Sequence, residues 1–156
     1  MTPIALGLFY ACYHGAQRAG CVYLYGAKPA VDADSSDVHH ADCAGMVRWL
    51  IARATGGQVI LPEGSPDQHA WCEAQGLHKV SQYSDLHYAM QDGSRLFLAF
   101  HNPEPVGHVW AVNMGRSIEC HGPRGEPLGG RAWDNPILVR IADACYELPT
   151  EREGLI

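Results

Sequence analysis

No stretch of this 156-residue sequence approaches the run of about 18 apolar residues that a membrane-crossing helix requires. Basic residues are scarce and unclustered, 11 against 17 acidic ones, for a formal net charge of -6. That balance argues against a nucleic-acid partner and against an anionic membrane surface. The six cysteines, Cys12, Cys21, Cys43, Cys72, Cys120 and Cys145, form no C-x-x-C pair, so their spacing offers no zinc site and points to no particular disulfide. The apolar start from Met1 to Phe9 has no basic residue ahead of it and is cut short by Tyr10 to His14, a poor match to a secretory signal. Internal repeats and low-complexity tracts are absent as well. Together these absences predict a soluble protein made in the cytoplasm without standard export, its thiols reduced. The 47% hydrophobic content suffices for one ordinary core, and we expect a single domain over 1–150 followed by a polar tail over 151–156.

Helical patterns come first along the chain and strand patterns afterwards. Thr2-Pro3 suits a helix start, because threonine can accept a bond from first-turn amides and proline is tolerated at the first helical position. This helix is expected to run to about Ala19 and stop at Gly20. A polar loop from Lys28 to Ala41 then leads to Asp42. From Asp42 to Thr55 the residues Cys43, Met46, Val47, Leu50, Ile51 and Ala54 recur at helical spacing, and Gly56-Gly57 ends the run. Ser65 to Gln75 and Ser84 to Gln91 read as shorter helices, each with serine at the N-cap. Short apolar runs follow at Arg95–His101, His108–Asn113, Ser117–His121, Ile137–Ala142 and Cys145–Leu148, punctuated by Asn-Pro, Gly-Pro and Gly-Gly. The expectation is an α+β domain with the helix beginning at Cys43 laid against an antiparallel sheet.

One thiol stands apart. Cys43 sits at the start of the best-defined helix, and a helix N-terminus beside an imidazolium favours the reactive thiolate. A buried structural cysteine is the commoner fate, so the reading needs a histidine. Of nine histidines, His108 follows Gly107, begins a strand and shares a face with Trp110 and Val112; His101 is its rival on sequence grounds alone. If Met114-Gly115 forms a two-residue turn, Asn113 pairs with Arg116. That register sets His121 across from His108 and Glu119 diagonally on the same face, both within reach. His39 and His40, close to Asp42, invite a metal reading, but adjacent side chains on an extended loop point apart and seldom converge on one ion.

Four segments, taken together and in this order, resemble a known family. Val22-Tyr23-Leu24-Tyr25-Gly26-Ala27 is similar to Pro-Tyr-x-Trp-Gly-Gly, and Asp42-Cys43-Ala44-Gly45-Met46 to Asp-Cys-Ser-Gly-apolar. Gly107-His108-Val109-Trp110-Ala111-Val112 is similar to Gly-His-Val-Gly-Ile-Tyr, and Ile118-Glu119-Cys120 to Ile-His-Ala. These are the motifs of the NlpC-type cell-wall cysteine peptidases, papain-like enzymes that cut peptide bonds of bacterial peptidoglycan. The resemblance implies Cys43 as nucleophile, His108 as its base and a polar third residue. Glu119 fills that slot, with one residue fewer in the intervening turn, and His121 remains its competitor. By the same resemblance, the Tyr23 hydroxyl and the Cys43 amide hold the oxyanion. Asp42 binds the free amino group of the stem peptide, compatibly with an N-cap role. The chain departs from the pattern at Ala44, Ala27 and Trp110, where the family has serine, glycine and glycine. Those changes bear on the substrate more than on the chemistry.

The expected activity is a cofactor-independent thiol hydrolase acting between D-glutamate and a diamino acid of peptidoglycan. The lack of a wall-binding module or export signal leads us to expect a phage-derived enzyme or an effector delivered by a secretion machine. The alternatives are an acyltransferase using the same Cys/His dyad and a non-catalytic phage tail or structural protein.

Overall fold

The structure, a computed structural model, describes residues 1–80, 91–102, 107–130 and 142–151. Its organising element is the helix α2, Cys43–Ala54. The Asp42 side chain caps it by accepting the Gly45 N–H at 2.7 Å. Thr55 closes the last turn, and Gly56 and Gly57 turn the chain away with φ of 61° and 79°, a region that glycine enters without steric cost.

The sequence predicts one apolar stripe on this helix, but every α2 residue except Arg48 and Arg53 is buried. The difference lies on the side carrying Ala44, Gly45, Trp49 and Ala52. There the loop ahead of Asp42 folds over the helix, and the Trp49 indole N–H donates to the Ala33 carbonyl at 2.9 Å. A methyl group on Gly45 would lie 2.6 Å from the Ala27 carbonyl oxygen and 3.2 Å from the Lys28 Cα, so the loop approaches the helix only because glycine stands there. Gly45→Ala is therefore expected to cost about 1–3 kcal/mol through overpacking. A thermal melt checks it.

The helix α1, Leu6–Arg18, packs on α2 and starts later than Thr2-Pro3 suggests. Ile4 is taken instead by residues 149–151, its N–H donating to the Pro149 carbonyl and its carbonyl accepting from the Glu151 N–H, while the Ala5 N–H donates to the Ala54 carbonyl. The cap residue is Ala5, with no side-chain bond, and Ala19 and Gly20 close the helix as expected. The helix α3, Ser65–Ala74, is capped by Gly64; Ser65 is instead its buried first residue, followed by a proline in the first turn. From α3 the buried Gln68 amide donates to the Ala44 carbonyl at 3.0 Å and the Pro62 carbonyl at 2.8 Å, tying α3 to the start of α2. The second predicted short helix, Ser84–Gln91, lies outside the described residues except for Gln91 itself.

A two-stranded parallel pair joins β1, Val22–Tyr23, to β2, His40–Ala41. These were too short to leave a periodic signal. The main sheet has the order β5-β4-β3-β6 with antiparallel neighbours: β3 Leu96–His101, β4 His108–Asn113, β5 Arg116–Ile118 and β6 Ala144–Leu148. The molecule is thus α+β, with α2 packed on β4. The predicted strand Ile137–Ala142 lies outside the described residues save for Ala142.

Met114 and Gly115 form the hairpin turn, with φ of 51° and 70° and Asn113 paired to Arg116. Positive φ at both central positions matches the right-handed twist of the flanking strands. The ladder stops at Ile118, so the expected pairing of His121 with His108 does not form. Other partners hold the chain beyond it: the Tyr13 hydroxyl donates to the Glu119 carbonyl at 3.2 Å and the Cys120 thiol to the Ala41 carbonyl at 3.1 Å.

Candidate active site

The α2 cap sets Cys43 at the first helical position, where the backbone N–H has no intrahelical acceptor and the helix dipole is positive. Opposite it, β4 begins with His108. The Glu119 carboxylate hydrogen-bonds the His108 side chain, and Cys43 stands close enough for its charge to act on the ring. The Glu119 contact is Nε2 to Oε2 at 3.3 Å, which leaves Nδ1 as the ring nitrogen available to sulfur. Glu119 is fully buried, and the His121 Nε2 stands 3.7 Å from its other oxygen. One carboxylate therefore faces two imidazoles, and His121 meets His108 only through Glu119. The rival His101 is turned to Asp143, 3.4 Å away.

Burial works against charge on His108, but the hydrogen bonds and negative charge of Cys43 and Glu119 outweigh it and raise its pKa from 6.5 to about 9. Because the folded value lies above the unfolded one, the protonated ring contributes stability below about pH 6.5, and that contribution is lost as pH rises through about 9. Any turnover that depends on the protonated ring is expected to fall over the same upper range. A kcat/KM profile against pH should show its basic limb near 9, and a limb near 6.5 would count against this environment.

Trp110 stacks on the His108 ring, centroids 5.2 Å apart and planes 23° from parallel. It is wholly buried among Phe97, Ala99, Val112 and Cys145, so its bulk is turned into the sheet packing behind the imidazole. Tyr23 lines the same cavity as Cys43. Its pKa is raised, by burial first and then by the neighbouring Cys43 and Asp42 charges, so its hydroxyl keeps the proton an oxyanion donor needs. The remaining thiols are buried and unbridged. Burial pushes Cys21 to about 11 and Cys72 to about 12, and pushes Cys120 and Cys145 up as well.

Asp42 is more heavily engaged than an N-cap requires. Oδ1 accepts from Gly45, and Oδ2 accepts from the Gly26 N–H at 3.2 Å and from the Lys28 ammonium. His39 and His40 are exposed, while Asp42 is buried against these donors. Lys28 is the site residue that sequence reasoning missed. It lies in a loop without periodicity, and only the fold brings it to Asp42. Gln68, which fixes the first turn of α2 from another helix, was hidden for the same reason.

Compared with known families and with curated proteins, the sequence matches no family model and no curated relative.

Proposed function

We propose that the chain is a papain-like thiol hydrolase that cleaves peptide amide bonds of peptidoglycan, between a D-glutamyl residue and a diamino acid. The observation that carries the reading is the grouping of Cys43, at the start of α2 and on the wall of a cavity of about 300 Å³, with His108, which is hydrogen-bonded to the buried Glu119. The substrate comes from the four-segment resemblance.

In this mechanism the Cys43 thiolate attacks the scissile carbonyl carbon, and the oxygen that becomes negative is met by the Cys43 N–H and the Tyr23 hydroxyl. The tetrahedral species collapses as the His108 imidazolium gives its proton to the leaving amine, and a thioester remains on Cys43. His108, now neutral, takes a proton from water, whose oxygen attacks the thioester. The acid departs and the thiolate and imidazolium are restored. Glu119 orients the ring and balances its charge throughout. Phage-borne or secretion-system delivery would bring such an enzyme to its wall substrate.

Mass analysis of purified muropeptides incubated with the protein tests the proposal. Products of amide hydrolysis should appear with the unaltered chain and be missing with Cys43→Ala. Acyl transfer to an added amine, in preference to water, would favour the transferase; unchanged muropeptides would favour the non-catalytic reading.

A further inference from the structure

The cavity beside Cys43 is also lined by Tyr23, Tyr25, Ser65 and Gly107, and its charged lining residues are Lys28 and Asp42. Their states differ. Asp42 accepts from Gly26, Gly45 and Lys28, and its side chain is only 8% exposed against 23% for Lys28. A carboxylate with its lone pairs so occupied has little left for a ligand ammonium. Lysine carries three N–H donors, and Asp42 accounts for one. The α2 N-terminus, present in the lining through Cys43 and Ala44, adds partial positive charge to the same wall. The charged group with bonding capacity left for a ligand in this cavity is therefore the Lys28 ammonium.

We propose that Lys28 makes the cavity selective for acyl donors carrying a free carboxylate near the scissile carbonyl, in place of the ammonium that the resemblance would assign to Asp42. This deepens the hydrolase reading and rests on it for the word substrate. A glutamyl residue suits the requirement: with one carboxyl group tied into the scissile amide, the other is free to meet Lys28 unless it is amidated. The discrimination is then between a carboxylate and its carboxamide, which share a shape and differ in charge.

Two alkylating reagents pose that difference at Cys43 itself. Iodoacetate and iodoacetamide each form an S–C bond as iodide leaves, both require the thiolate, and only iodoacetate is anionic. Their rate ratio at Cys43, normalised to the ratio for glutathione, thus reads cavity charge and cancels changes in thiol ionisation. The ratio should exceed one in the unaltered protein and shrink as salt is added. Lys28→Gln, which removes the ammonium and exposes the Asp42 charge, should lower it by about five- to tenfold. Lys28→Arg should retain it. A ratio at or below one in the unaltered protein, or one unchanged in a folded Lys28→Gln chain, overturns the proposal; the first result needs no variant to fold. Parallel cleavage assays on carboxylate and carboxamide muropeptides separate the two claims. If neither muropeptide is cut but the alkylation ratio behaves as stated, the hydrolase reading fails and the charge preference of the cavity stands. If both are cut equally and the ratio ignores Lys28, the hydrolase stands and the role of Lys28 fails.

Discussion

Replacing His108 by alanine is expected to lower turnover by at least about a thousandfold, because in the proposed mechanism its ring moves protons in both half-reactions. Glu119→Gln should cost less. Glutamine keeps the size and an acceptor oxygen but removes the charge that, with Cys43, holds the ring protonated to about pH 9. His121→Gln should cost least, since His121 reaches the ring only across the Glu119 carboxylate. Because Glu119 is fully buried, melting temperatures must accompany the rates, so that loss of fold is not read as loss of chemistry. If His121→Gln is the more damaging change in an intact protein, the third position belongs to His121.

Thiol reagents and Cys43→Ala should each abolish activity, whereas EDTA should leave it intact. A Cys/His pair supplies both nucleophile and proton carrier, and the proposed steps route nothing through a metal. Among the described residues, His39 and His40 point to solvent while Asp42 is held by Gly26, Lys28 and Gly45. Activity lost to the chelator and restored by zinc would overturn this assignment and revive the His39, His40 and Asp42 site.

The parts of the site that sequence made legible are those fixed over short range. Helical spacing and the Asp42 cap locate α2 and its thiol to the residue, and the Met114-Gly115 turn fixes the β4–β5 register. The misses arise where distant segments compete with local propensity. Thr2-Pro3 is a good helix start, yet Ile4 pairs with residues 149–151 and the Ala5 N–H donates to the Ala54 carbonyl. Extrapolating the hairpin put His121 opposite His108, but Tyr13 and Ala41 draw residues 119 and 120 off the ladder. Glu119, expected diagonally, is the group that touches the ring. Lys28 and Gln68 act across 14 and 24 residues, on Asp42 and Ala44, and no local pattern announces contacts of that kind.

The central claim is that Cys43 is singled out among six thiols by its helix terminus and its imidazole. Brief treatment with iodoacetamide near neutral pH, followed by peptide mapping, tests it directly. The predicted result is Cys43 carrying the label first, well ahead of Cys21, Cys72, Cys120 and Cys145, whose burial keeps them as thiols. Label appearing first on Cys12, Cys72 or Cys145 while Cys43 stays unmodified would contradict it.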